Sequence, residues 1–143
     1  NGSTAMICPQ CHCRMEYAVD SDQAVHQCPQ CTGTWIGGRS LHAMLAKQND
    51  TASIEQVFDS ILDLDFRDSG RQCPHCAPRH LKVVVIEHTE LDFCSRCKGL
   101  FFDAGELDRV LPAIVDGSAS FGRRARQRQG SIWSNLVRML GRR

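Results

Sequence analysis

Cysteine is the residue type in this chain with the most chemistry to offer, and its placement is regular. Eight of the nine cysteines stand in four C-x-x-C pairs: Cys8/Cys11, Cys28/Cys31, Cys73/Cys76 and Cys94/Cys97. Disulfides and metal compete for such pairs. No secretory apolar run precedes the first pair, and in a reducing compartment paired cysteines ligate metal rather than one another. Zinc is the expected ion, because it takes four soft ligands in a tetrahedron with Zn–S about 2.3 Å. A C-x-x-C turn lets two thiolates converge on one ion, and backbone N–H groups in the turn can bond the sulfurs. Proline after the first cysteine, at Pro9, Pro29 and Pro74, fixes φ in that turn. Taken in chain order, the pairs give two four-cysteine sites and two Zn2+ ions: Cys8, Cys11, Cys28 and Cys31 for one, Cys73, Cys76, Cys94 and Cys97 for the other.

Such a site is closed. Catalytic zinc keeps one position open for water, whereas four thiolates leave none. No H-E-x-x-H or nucleophile-elbow pattern occurs elsewhere, so no catalytic residues are assigned and a non-enzyme is expected. The ninth cysteine, Cys13, reads as a spectator thiol on the first strand; exchanging it for Cys11 as ligand would break the match between the two halves of the chain. His12 and His75 sit in or beside the cysteine turns, where either could solvate a sulfur, with ligation as second choice. His80 and His88 flank a strand and have no assigned partner.

The elements that must position these sulfurs are written twice. Sixteen residues separate the pairs of the first copy and seventeen those of the second, a length that a β-hairpin fills. Met15, Tyr17 and Val19 alternate with Glu16 and Ala18. In the second copy Val83 to Ile86 are β-branched, and Leu91 and Phe93 alternate with Asp92. These are strand signals. After each second pair comes x-Gly-x-aromatic-apolar: Gly33, Trp35, Ile36 and Gly99, Phe101, Phe102. The glycines suit a position of positive φ, and Trp35 and Phe101 suit the core of the ribbon rather than a base-stacking platform. Helices are expected over Ser40 to Lys47 and Ala104 to Val115. Asp103 and Glu106 have capping-box spacing, with Asp103 capping the helix and Glu106 reaching back to the Asp103 N–H. Leu107, Val110, Leu111 and Ile114 form an apolar stripe. Copy one has Gly37 and Ser40 at the capping places, so its helix should start less firmly.

On these motifs each copy resembles the bacterial zinc ribbons grouped as transcription factor zinc-finger, TFIIB-like. That pattern runs C-P-x-C, hairpin, C-x-x-C-x-G-x-[WF]-[aliphatic]-D-x-G-E-L and helix. Copy two matches from Cys73 through "DAGEL" to Leu107; copy one matches at its cysteines, Gly33, Trp35 and Leu41 but lacks the Asp and Glu. The resemblance implies a fold and a metal, and only weakly a process.

The expected fold is therefore small α+β: zinc ribbon 1 with its helix over 6–48, an amphipathic helical linker over 49–70, zinc ribbon 2 with its helix over 71–116, and a basic amphipathic tail over 117–143. The opening "NGSTA" has the look of an appended tag and is left out of this division. Each ribbon is small enough to need its metal as a staple, and one large core is not expected. The linker carries Ile54, Val57, Phe58, Ile61 and Leu62 on one helical face, a stripe that could pack on the ribbons or receive a partner or second copy. The tail carries Arg123, Arg124, Arg126, Arg128, Arg138, Arg142 and Arg143, with Ile132, Trp133, Leu136, Val137 and Leu140 at helical spacing. It could dock on the body, lie on an anionic membrane or grip phosphates.

Charge separates two readings of function. Residues 1–116 hold 10 Lys and Arg against 16 Asp and Glu, or −6, and the tail holds +7. Two sites of four thiolates on a divalent ion add −4, bringing the ribbon body near −10. Such a body repels a phosphate backbone unless its few cations cluster, as Arg96 and Lys98 could. The reading favoured is a zinc-scaffolded, non-catalytic protein-interaction or regulatory module. The alternative is a transcription-associated nucleic-acid binder using its arginine tail. A redox or metal-transfer role would require thiols that react with the zinc in place. No apolar run of about 20 residues occurs, so no membrane span is expected, and a cytoplasmic location is.

Overall fold

The computed structural model describes residues 6–20, 22–62 and 67–122. In chain order the elements are β1 (Glu16–Asp20), β2 (Gln23–Gln27), β3 (Thr34–Ile36), α1 (Gly38–Ala46), α2 (Thr51–Leu62), β4 (Arg67–Gln72), β5 (His80–Ile86), β6 (Thr89–Phe93), β7 (Leu100–Phe102), α3 (Leu107–Asp116) and β8 (Phe121–Gly122). The small α+β class is as the sequence predicts. Each copy is a hairpin (β1–β2 or β5–β6), a third short strand (β3 or β7) and a helix. The second hairpin turns through Glu87 and His88, at φ 54° and 60°, with Ile86 facing Thr89. Positive φ at both central residues gives a turn whose twist matches that of the strands.

The two copies share one sheet, in the order β1-β2-β3-β7-β6-β5-β4, with β8 added to β5. The join is the antiparallel pair β3–β7, in register Thr34↔Phe102, Trp35↔Phe101 and Ile36↔Leu100. Trp35 and Phe101 are equivalent residues of the two copies, so the join is self-complementary, as in a two-fold dimer interface. It also covers the strand edge that either ribbon alone would expose.

Alternation along β3 and β7 sorts side chains onto two faces. Ile36, Leu100 and Phe102 face the helices and join Val25, Leu41, Leu45, Ile54, Ile61, Val84, Phe93, Val110 and Ile114 in one core. Trp35 and Phe101 face the other way and pack among the cysteines with Met15 and Leu81. The expectation that no single large core would form is thus corrected. Neither ribbon is large enough, but the pair pools its apolar faces and the connecting helix roofs them. Asn49 ties the helices of the two copies, its Nδ2 donating to Leu45 O at 2.9 Å and Val115 O at 2.8 Å.

Several boundaries differ from the sequence reading. α1 begins at Gly38, before Ser40, whose Oγ instead donates to Ala24 O at 2.7 Å. The linker is helical over α2 only, and from Arg67 the chain is a strand on β5, not helix to residue 70. Asp50 starts α2, accepting from the Ser53 N–H at 2.8 Å. In β1 the alternation turns Ala18 toward the core and leaves Tyr17 and Val19 exposed. The expected basic helix of the tail lies outside the described residues. Among the described residues no helix is long and apolar enough to cross a membrane.

Candidate metal centres

Four sulfurs converge twice. The Sγ atoms of Cys8, Cys11, Cys28 and Cys31 all lie within 4.8 Å of one another, as do those of Cys73, Cys76, Cys94 and Cys97. Cys8 and Cys31 are 3.8 Å apart and Cys73 and Cys97 3.7 Å. A tetrahedron with Zn–S of about 2.3 Å has edges of about 3.8 Å, so the spacing is that of a zinc shell.

Each turn is closed by the backbone. The Cys28 N–H donates to Gly33 O at 2.9 Å and the Cys94 N–H to Gly99 O at 3.0 Å. Amides inside the turns point at sulfur: those of Cys11 and Cys31 reach Cys8 and Cys28 at 3.3 and 3.4 Å, and those of Cys76 and Cys97 reach Cys73 and Cys94 at 3.2 and 3.4 Å. These bonds favour thiolate over thiol. The third pair closes differently, through a cis Ala77–Pro78 bond and a Cys73 N–H to Arg79 O bond of 2.8 Å.

The donor set also calls for a cation on electrostatic grounds. Burial and the sulfurs of Cys31 and Cys28 push Cys11 up to about 12. Burial and the charges of Cys97 and Cys94 push Cys76 up to about 11. One thiol in each cluster goes the other way. Hydrogen bonding from Cys73 leads in bringing Cys97 down to about 5. At Cys28 burial pushes the thiol up, but the Cys31 N–H, the Cys13 thiol and the Gln30 N–H outweigh it and bring it down to about 6. Four neighbouring thiols cannot all ionise alone, and a divalent ion resolves the conflict. The two clusters are two Zn2+ sites, each a closed shell of four thiolates.

The glycines after the second pairs serve a purpose other than the one expected. Positive φ falls one residue earlier, at Thr32 (62°) and Lys98 (67°), and at His12 (65°) in the first turn. Gly33 and Gly99 are small because a ring of the other copy lies on them. A Cβ on Gly33 would stand 2.5 Å from Phe101 Cζ, and one on Gly99 would overlap Trp35 Cζ2. Gly38 at the head of α1 is held the same way, against the Cys97 carbonyl. The Cys28–Cys31 and Cys94–Cys97 turns are therefore each braced by the opposite ribbon. As expected, the two rings are core: Trp35 is 1% exposed and Phe101 fully buried.

The capping box is half present. Glu106 reaches back to the Asp103 N–H at 3.0 Å, but the helix starts only at Leu107 and no side chain caps it. Asp103 instead accepts from Arg71 Nη1 at 3.3 Å, and the same guanidinium nitrogen donates to Asp92 at 2.7 Å. Arg71 also lies 5.9 Å over the Phe101 ring. This knot, which the sequence reading missed, clamps β4 to β6 behind the second site. Burial raises the Asp92 carboxyl even with Arg71 beside it.

His75 Nδ1 lies 3.6 Å from Cys76 Sγ, the solvating role expected. His80 meets both Asp68 oxygens at 3.1 Å, and His88 is in the hairpin turn. Cys13, read as a bystander, has its Sγ 3.2 Å from Cys28 Sγ. Tail residues Arg123, Arg124, Arg126, Arg128, Arg138, Arg142 and Arg143 lie outside the described residues.

The family model described as transcription factor zinc-finger matches the chain twice, over residues 7–47 and 72–113. No curated protein and no solved structure matches it.

Proposed function

Because the chain belongs to the transcription factor zinc-finger family, with two tandem zinc ribbons, we propose that it is a non-catalytic protein-interaction or regulatory module whose zinc sites serve structure. The observation that carries this reading is a groove of about 500 Å3 between α1, α2 and the Cys94–Cys97 turn. Ile54, Phe58 and Leu62 supply its apolar lining, and Leu62 is 39% exposed. Charges of both signs rim it, Arg39 and Lys98 against Glu55 and Asp59. His42 stacks on Phe58 with ring centroids 6.3 Å apart. Such a lining suits an apolar anchor on a protein segment flanked by charge. The closed sulfur shells support the non-catalytic half of the reading, and reduced cysteines suit a cytoplasmic setting.

A second reading, nucleic-acid binding, is favoured by the +7 charge of residues 123–143. The body argues against a wider role for it, since a surface near −10 opposes a phosphate backbone. Two experiments test the choice. Zinc-loaded wild type and Phe58→Asp are compared for the proteins they retain from the native source; the reading expects a specific partner lost with Phe58→Asp while both ions stay bound. Binding to DNA and RNA is titrated with salt, alongside a variant with the seven tail arginines changed to glutamine. Any nucleic-acid affinity should vanish in that variant. Sequence-selective binding that persists without the tail arginines would overturn the reading.

A further inference from the structure

The first metal site has one thiol too many. Cys13 stands outside the group of four, yet its Sγ is 3.2 Å from that of Cys28, closer than Cys8 is to Cys31 at 3.8 Å. The backbone fixes this placement: Cys13 O accepts from the Cys8 N–H at 2.8 Å, and Arg14 bridges to Ile7. Cys13 is half-buried, whereas Cys28 is fully buried. The second site has no counterpart. The residue in the same hydrogen-bonded place is Arg79, whose carbonyl accepts from Cys73 N–H and whose side chain goes to Ser95. One chain thus carries a site with a fifth thiol and a site without.

We propose that Cys13 and Cys28 form an oxidative modification site, at which a hydroperoxide joins them as a disulfide and so withdraws one ligand from the first zinc while leaving the second zinc bound. The proposal rests on the two zinc sites and not on the partner reading. The Cys13 sulfur attacks the peroxide, breaking the O–O bond, and becomes a sulfenic acid as one water departs. The Cys28 sulfur then leaves zinc and attacks the Cys13 sulfur; the S–S bond forms, the S–O bond breaks and the hydroxyl leaves as a second water. In sum one thiol, one zinc-bound thiolate, one hydrogen peroxide and one proton give a disulfide and two waters, with two electrons passing from sulfur to oxygen. The sulfurs close from 3.2 Å to about 2.05 Å, a shift of about 1 Å. Zinc is left with three thiolates. The turn that loosens carries Gly33, on which the Phe101 ring rests.

The test uses the full chain loaded with two zinc ions, hydrogen peroxide as oxidant and 4-(2-pyridylazo)resorcinol to count released zinc. Wild type should lose one ion in a fast phase and the second about tenfold more slowly, as access to a reactive thiol dictates. Peptide mapping of the fast-phase product should find Cys13 linked to Cys28, and a thiol reductant with added zinc should restore two ions. Cys13→Ser should still bind two ions and lose the fast phase. Release of both ions at one rate, a fast phase that survives in Cys13→Ser, or a different disulfide in the fast-phase product would overturn the proposal. So would a Cys13→Ser protein that holds only one ion, because Cys13 would then be a ligand.

Discussion

Gly99→Ala tests the claim that the second cysteine turn of each copy is braced by the other ribbon. Gly99 has no positive φ, so alanine brings no backbone strain and the effect is steric. The added methyl would overlap Trp35 Cζ2 and lie 2.5 Å from Cη2 and 3.0 Å from Ile36 O. The ring cannot swing away, because Trp35 is 1% exposed in a packed face. Overpacking of a buried site costs about 1–3 kcal/mol, and three close contacts put this case at about 3. At fixed free zinc that is a fall of about 10 °C in Tm for a domain of this size. Trp35→Phe removes the atoms in the way and leaves a small hole, costing about 1–2 kcal/mol. The double variant lets the methyl enter that hole, so its cost should fall short of the sum by about 1–2 kcal/mol. The assay is thermal unfolding followed by circular dichroism. Gly99→Ala within about 0.5 kcal/mol of wild type, or strictly additive costs, would refute the bracing argument.

Other outcomes follow from the same geometry. Arg71→Met should destabilise by about 2–3 kcal/mol by leaving Asp92 buried without its cation, and adding Asp92→Asn should recover much of that loss; urea titrations of the three variants decide it. Asn49→Ala, which orphans the carbonyls of Leu45 and Val115, should cost about 1–2 kcal/mol and raise amide exchange at the ends of α1 and α3 together. Phe58→Asp should leave zinc content at two ions while abolishing retention of the partner, read by metal analysis and affinity capture.

The metal sites were legible in the sequence because their geometry is local. Two residues between cysteines, a proline and a hairpin's length of chain suffice to bring four sulfurs together. What was not legible required the second copy. Gly33 and Gly99 could be marked as positions that want glycine, and the sequence points to φ as the reason, but no local pattern tells a glycine kept for its φ from one kept for a ring arriving from elsewhere. Asp103 shows the same limit: its spacing to Glu106 was right, and the Glu106 half of the box forms, but Arg71 takes the Asp103 carboxylate from a distant strand. β4 was missed because "RDSGRQ" is a polar edge strand with no apolar alternation. Matching the copies makes Cys13 a spectator, whereas its place next to Cys28 depends on how the first turn folds back on itself.

Native mass spectrometry of gently purified protein, read beside its melting curve with and without a strong chelator, tests the central claim most directly. The account predicts a chain carrying two zinc ions, and loss of both the shared sheet and the cooperative transition once they are removed. A chain without tightly held metal, or one whose melt and circular dichroism are unchanged by the chelator, would contradict it.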